Sequence, residues 1–327
     1  MFDLISIGDA TIDTFIQIHD AEVKCDINKQ DCKICVDYGD KIAVDKLTHL
    51  VAGNAANNAI GAKRLGLKSA IYVNVGDDSS GKQIYEKLKE EGVSTRYIVV
   101  NKGMESNYSA VLNFKGERTI FVYHQAWKYK LPDLDNTRWV YYTSMSASFT
   151  DSNILNEITN FLERTGAKFL YNPGTYQIQA GVKKNPKLLA LTEIFIVNLE
   201  ESKRILGYKD SEDIQIKKLL KEICDLGPKM AVITDGGEGS FGFDGENYYK
   251  LEIFPANLVE MTGAGDAFAT GTLAGLFHGE SLPEAMRWGA ANGASVVEKV
   301  GPQAGLLTLR GMQEKLKENS KIVAKEI

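Results

Sequence analysis

From residue 138 onward the chain alternates strand and helix, and that rhythm leaves few architectures open to it. The runs Trp139-Val140-Tyr141-Tyr142, Lys168-Phe169-Leu170-Tyr171, Ile194-Phe195-Ile196-Val197 and Met230-Ala231-Val232-Ile233 read as short buried strands. Helical stretches fall near residues 151–165, 199–206, 211–226, 265–278 and 283–299. Such alternation predicts an α/β fold with a parallel sheet covered on both faces, since each parallel crossover needs a helix-length connection. Ligands of such sheets gather beyond the carboxyl ends of the strands. Three polar clusters stand there: Asn172-Pro173-Gly174, Asn198-Leu199-Glu200-Glu201, and Thr234-Asp235-Gly236-Gly237-Glu238-Gly239. Singly, each is explained by a helix cap or a turn. Together they point to one sheet edge.

The same edge is expected to hold Thr262-Gly263-Ala264-Gly265-Asp266-Ala267-Phe268. This reads as a tight glycine turn opening a buried helix, because the apolar run continues through Ala269, Leu273, Ala274, Leu276 and Phe277. The first N–H groups of a helix lack internal partners, so they can hold an anion. Asp266, beside them, is placed to accept a proton from a hydroxyl. An anion cradle next to a base suits phosphoryl transfer to an alcohol.

The first half is more mixed. Residues 3–8 read as a strand ending at a glycine, followed by Asp9 and Asp13 and by an alternating strand over Phe15-Ile16-Gln17-Ile18. Asp13 therefore falls beyond a strand end, where it would either touch a substrate or make a turn. Gly53 opens, and Gly66 ends, a helix rich in small residues. Asn54 and Asn57 share one face of its first turn, and side-chain amides suit sugar hydroxyls, though an asparagine cap explains them too. A strand over Ile71–Gly76 leads to a helix over 80–91, with Ile84 and Leu88 inward. Tyr108–Phe114 and Arg118–Tyr123 alternate and are expected to form a hairpin joined by Lys115-Gly116-Glu117. With the strand pieces of residues 15–50 they predict a small sheet that stands off the main body and excludes water.

Composition narrows the function classes. A net charge of −5 without a basic cluster argues against nucleic acid as a partner. No run approaches the length of a membrane span, and the N-terminus has no basic region of a signal peptide. Cys25, Cys32 and Cys35, with His19 nearby, could supply four metal ligands, but their spacing matches no standard pattern well. Ordinary thiols in a β-rich insertion are the expectation, in a reducing, cytoplasmic setting.

Taken with these motifs, the chain resembles the ribokinase-like (PfkB) carbohydrate kinases over essentially its whole length. Gly53-Asn54-Ala55-Ala56-Asn57 through Gly66, then Gly76-Asp77-Asp78, matches the N-terminal signature; Thr262–Phe268 matches the C-terminal one; Asn198-x-x-Glu201 lies between. The resemblance implies one ribokinase-like α/β domain over residues 1–327, a three-layer sandwich around a mostly parallel sheet, with a β lid from about residues 14–50 and 105–125. It implies Asp266 as the base and the amides of Gly263, Ala264 and Gly265 as an anion hole. It implies Asn198 and Glu201 as organisers of Mg2+, through water, and of the nucleotide, ATP. Thr234, Gly236 and Gly239 match positions beside the nucleotide; Asp13, Gly53, Asn54 and Asn57 match acceptor-binding positions. In many members the lid also makes a homodimer contact.

The chain departs from the family at four places. Glu260-Met261 replaces the Asp-Thr whose aspartate helps bind a monovalent cation, which leaves such a cation open. Asn54 stands where ribokinases carry lysine. Thr143-Ser144-Met145-Ser146 lacks an acidic residue that many ribokinases place there, and the cysteine-bearing insertion over 20–40 is long. A sugar acceptor is favoured. A nucleoside is the alternative, because Phe15, Tyr108, Phe114, Phe121 and Tyr123 could offer stacking faces. A non-catalytic sensor on the same fold is a third reading.

Overall fold

The computed structural model describes residues 1–25, 32–114 and 117–327, with Glu117 by its backbone alone. Among these, ten strands form the main sheet. Its order is Lys325–Glu326, Tyr248–Leu251, Ser240–Phe243, Met230–Thr234, Ile194–Asn198, Lys168–Tyr171, Thr137–Tyr142, Phe2–Ile7, Ser69–Gly76 and Ser94–Asn101. The seven from Met230–Thr234 to Ser94–Asn101 are parallel, as the strand–helix rhythm predicts. The other three are antiparallel additions at one edge.

Alternation along each strand divides the core in two. Ile5, Val140, Tyr142, Phe169, Tyr171 and Phe195 face one layer, packed by Ile158 and Phe161 of the helix Ile154–Thr165 and by Leu219 and Ile223 of the helix Ile216–Asp225. Leu4, Trp139, Tyr141, Leu170, Ile194 and Ile196 face the other, packed by Phe268 and Leu273 of the helix Ala264–Phe277 and by Met286 and Trp288 of the helix Leu282–Val296. Those last two helices approach closely because glycines line the seam. A Cβ at Gly271 would lie 2.5 Å from the Trp288 carbonyl oxygen, and one at Gly289 2.8 Å from that of Phe268. The helix Asn54–Arg64 packs beside Ala264–Phe277 on this same face, so the two signature helices are neighbours.

A separate four-stranded sheet has the order Lys46–Ala52, Thr11–Gln17, Tyr108–Phe114, Glu117–Tyr123. It matches the small sheet expected from the sequence. The proposed connection Lys115-Gly116-Glu117 lies outside the described residues except for the backbone of Glu117, where the last strand begins. Phe15 and Phe114 are buried within this sheet, whereas Phe121 and Tyr123 are turned outward to solvent.

One expectation is corrected. Cys25 and Cys32 are joined in a disulfide rather than standing as thiols. They face each other in the register of the hairpin Glu22–Cys25/Cys32–Cys35, and directly opposed antiparallel positions bring two Cβ atoms within bonding reach. Cys35 and Cys224 are free, and His19 bonds Asp45 instead of approaching the cysteines. Among the described residues no group of three His, Cys, Asp or Glu side chains could hold a metal ion. Among them, too, no helix is long and apolar enough to cross a membrane.

Candidate active site

A cleft of about 650 Å3 opens at the carboxyl ends of the parallel strands, beneath the small sheet. It is lined by Asp13, Gly53, Asn54, Asn57, Asn172, Asn198, Glu201, Thr234 and all four residues Gly263 to Asp266. Segments from across the sequence thus converge as expected. Gly236 and Gly239 do not line it; they form the short turn after the strand Met230–Thr234, and Gly239 packs against Leu251 in the following hairpin.

The glycine turn is built for its place. Gly263 adopts φ 81°, and a Cβ there would lie 2.4 Å from Pro302 Cβ, so both backbone and packing demand glycine. The helix Ala264–Phe277 starts immediately after it. The amides of Gly263 and Gly265 have no partner among the described residues, while that of Ala264 donates to the Met261 carbonyl at 3.3 Å. Two of the three expected amides are therefore free for an anion.

Asp266 sits in the first turn of this helix, and Asn57 Nδ2 donates to its Oδ2 at 2.8 Å. Burial pushes its pKa up to about 6; the Asn57 bond opposes this, and the Asp13 and Glu201 carboxylates add to it. A carboxyl held there is poised to exchange a proton near neutrality. The amide of Asn57 is engaged on both sides, because its Oδ1 also accepts from Gln303 Nε2 at 3.0 Å. Asn57 lines the cleft, but its recorded bonds hold Asp266.

Asp13 lies across the cleft in the strand Thr11–Gln17, paired in register with Ser109. It too has a pKa raised to about 6, chiefly by burial; a bond to Ser109 lowers it, Glu260 raises it, and Arg118 and His124 lower it. Gly53, at φ 97°, brings the start of the helix Asn54–Arg64 against this strand's entrance, where a Cβ would lie 2.6 Å from Ala10 Cα. Asp9, deeper, accepts from the Tyr129 hydroxyl at 2.7 Å and the Ser146 amide at 2.8 Å.

Asn198 and Glu201 form a reciprocal cap on the helix Leu199–Leu206. Glu201 N donates to Asn198 Oδ1 at 2.8 Å, and Asn198 N donates to Glu201 Oε2 at 3.0 Å. The capping reading of these residues is therefore correct, and both still face the cleft. Burial raises the Glu201 pKa, against the Asn198 amide bond. One carboxylate with one oxygen left over fits Mg2+ as that ion is commonly held, by one or two carboxylates, substrate phosphates and retained water. It does not fit an all-protein cage.

Glu260 is differently occupied. Its Oε1 accepts from Thr262 N and its Oε2 from Gly301 N, each at 2.9 Å, and Arg118 Nη1 lies 3.4 Å from Oε1. Both oxygens already have protein donors, and a guanidinium stands where a cation would, so this carboxylate is a poor ligand for a monovalent ion. The same Arg118 Nη1 donates to Thr262 Oγ1 at 2.7 Å, tying the small sheet to the glycine turn.

Several lining residues escape a motif-based reading. Arg118, Ile120, Val122 and His124 follow at every second position and face the cleft. That alternation was available in the sequence; which face it turned inward was not. Asn107 and Ser109 enter the same way from the neighbouring strand. None of Phe15, Tyr108, Phe114, Phe121 and Tyr123 lines the cleft, which removes those stacking faces. The Gly76-Asp77-Asp78 motif is a brace. Asp78 caps the helix Ser79–Glu90 and binds the Ser106 hydroxyl at 2.6 Å, and Gly76 N donates to that hydroxyl at 2.9 Å.

The model of the pfkB family carbohydrate kinases matches residues 18–309. An ATP-dependent 6-phosphofructokinase of Thermoanaerobacterium thermosaccharolyticum is 30% identical over 82% of this chain and 85% of its own length. A 5-dehydro-2-deoxygluconokinase of Geobacillus kaustophilus is 26% identical over 82% of this chain and 84% of its own. In fold, the ribokinase of Arabidopsis thaliana solved with ribose and ATP superposes with a TM-score of 0.80 at 22% identity, covering 97% of this chain and 99% of that one. A nucleoside kinase of Methanocaldococcus jannaschii gives 0.76 at 20% identity, covering 97% and 98%. The architecture is thus the ribokinase-like three-layer sandwich.

Proposed function

The chain belongs to the pfkB family of carbohydrate kinases, and from that premise we propose that it transfers the γ-phosphoryl group of ATP to a hydroxymethyl group of a ribose- or fructose-like sugar. The observation that carries the reading is Asp266, held by Asn57 at the start of a helix where the amides of Gly263 and Gly265 are unpaired. In the proposed step the acceptor hydroxyl loses its proton to the Asp266 carboxylate as its oxygen bonds the γ-phosphorus. The bond from that phosphorus to the β–γ bridging oxygen breaks, and ADP leaves. The amides of Gly263 and Gly265 face the charge on the transferring group, and such preorganised donors are worth most where water is excluded. Mg2+, when bound beside Glu201, supplies charge neutralisation for the phosphates. Asn198 and Thr234 border the nucleotide end of the cleft, and Asp13, Gly53 and Asn54 the acceptor end.

The small sheet acts in this reading as a lid. Its cleft-facing side mixes Ile120 and Val122 with polar groups, which suits the carbon face and hydroxyls of a sugar better than a stacked base. Its outer side exposes Phe121 and Tyr123, an apolar patch suited to a lid-to-lid homodimer. ATP turnover with a panel of sugars and nucleosides tests the function. A sugar used at least tenfold more efficiently than any nucleoside is expected; binding without phosphorylation in the presence of Mg2+ would leave only the sensor reading.

A further inference from the structure

Five buried side-chain polar atoms have no hydrogen-bond partner among the described residues, and three of them line one cleft: Asp13 Oδ1, Asn107 Nδ2 and His124 Nδ1. Each such orphan carries an uncompensated desolvation penalty. Native folds keep few of them, and a cluster in a cavity marks partners supplied from outside the chain. Asn107 and Asp13 are 1% and 8% exposed, so neither side chain has bulk solvent to fall back on.

Asn107 is also held rigidly. Its Oδ1 accepts from Gln125 N at 2.9 Å and its carbonyl from Ile12 N at 3.3 Å. The residue before it, Ser106, is bound through N and Oγ to Asp78. With its oxygen taken, the amide can turn only its NH2 group toward the cleft. Register places it near Asp13, because Ile12 pairs with Tyr108 and Asp13 with Ser109 in parallel strands. An unpaired donor and an unpaired acceptor on residues lining the same cleft complement a hydroxyl, which can accept from one and donate to the other. A carbonyl or a methylene satisfies one or neither.

We infer that Asn107 is a specificity-determining residue of the acceptor site, donating through Nδ2 to a secondary hydroxyl of the acceptor that in turn donates to Asp13 Oδ1, with His124 Nδ1 on the same lid-side face. The inference rests on the kinase reading above and adds a substrate class: an acceptor that carries a hydroxyl beyond the one phosphorylated. A deoxy acceptor at that position leaves two buried groups unpaired, which is the condition for strong discrimination.

The test compares wild type with Asn107→Asp and Asn107→Ala. D-ribose, D-fructose and adenosine serve as acceptors, each beside its monodeoxy analogues. Asn107→Asp keeps an oxygen for Gln125 N and replaces the donor with a carboxylate oxygen; Asn107→Ala removes both groups without adding charge. Wild type is expected to disfavour one monodeoxy analogue at least tenfold in kcat/KM. Both variants are expected to raise the acceptor KM at least tenfold, leave the ATP KM within twofold, and discriminate against that deoxy analogue at least threefold less than wild type, the remainder coming from Asp13. A purely structural role predicts impaired Asn107→Ala beside normal Asn107→Asp, and that pattern overturns the inference while leaving the kinase reading intact. Equal losses for parent and every analogue also overturn it, as does a wild type indifferent to all deoxy positions should a variant fail to fold. If wild type phosphorylates nothing, the kinase reading fails; sugar-induced rise in Tm, lost in Asn107→Asp, is then the readout. The absence of any sugar-induced rise overturns the inference too.

Discussion

The two ends of the cleft are built on opposite principles. Around Gly263 to Asp266 the functional groups are backbone amides and one carboxylate, all within a few consecutive residues and all fixed by the start of a buried helix. Around Asp13 they are side chains gathered from separate strands and loops, including Asn107, Ser109, Arg118 and His124. The first end is rigid because a helix packed on both sides cannot shift without opening the core. The second hangs on a small sheet whose outer face is exposed, and three of its polar atoms have no hydrogen-bond partner among the described residues. On the reading proposed above, the group facing the backbone cradle is the same phosphoryl group whatever the acceptor. Acceptors differ, and side chains on a separate sheet can change without touching the cradle.

The largest effect expected to test this contrast is at Asp266. Asp266→Asn should lower kcat by on the order of 100-fold or more, with little change in either KM. Stability should move the other way. The raised folded pKa, about 6, means that folding stability from this group is full below its unfolded value and falls as pH rises toward 6. At pH 7–8 the ionised form is therefore a burden on the empty fold, and Asp266→Asn should raise Tm by roughly 2–5 °C. Near-wild-type turnover in this variant would remove Asp266 from the base role.

A smaller but still large loss is expected at Gly263. Alanine there must adopt a positive φ and meet Pro302. Gly263→Ala should lower kcat/KM by about tenfold or more and cost roughly 1–3 kcal/mol in denaturant unfolding. If the variant were destabilised yet catalytically normal, the turn would be a packing device only, and the rigid end would lose its functional meaning. The pH profile sharpens the contrast further. Asp266 and Asp13 both titrate near 6, so kcat/KM in wild type should fall as pH drops through that value. In Asp13→Asn the fall should persist for kcat, since only the rigid end's titration then remains.

This difference in construction also decides what could be read in advance. The parallel sheet was legible because Trp139–Tyr142, Ile194–Val197 and Met230–Ile233 are short apolar runs between helices. The glycine turn was legible because its whole apparatus is local. Asn107 was not, since nothing around it marks a cleft; its place depends on Asp78 holding Ser106 from a different element. The disulfide escaped because pairing Cys25 with Cys32 needs the hairpin register, not just the spacing. The strand Ser94–Asn101 and the edge hairpin over residues 240–251 escaped too; the first mixes exposed and half-buried positions, and the strands of the second are very short. Asn198 and Glu201 show the converse. A helix cap and a cleft-facing pair turned out to be the same two residues, so the competing readings were both true.

The smallest effect concerns a polar link between the small sheet and the glycine turn. Arg118 spans from the lid to Thr262 and Glu260, and its side chain is 37% exposed against 10% for Glu260. An ion pair this open to water is worth at most about 1 kcal/mol and weakens with salt. Its loss should therefore bias the lid without altering the cradle. Arg118→Gln is expected to raise the acceptor KM by about two- to fivefold, with kcat nearly unchanged. Wild-type KM should rise with ionic strength toward the value of the variant, whose own KM should be flat. A hundredfold fall in kcat would instead make Arg118 part of the phosphoryl-transfer chemistry. The lid would then contribute to the rigid end, and the division between an invariant cradle and an adjustable acceptor face would not hold.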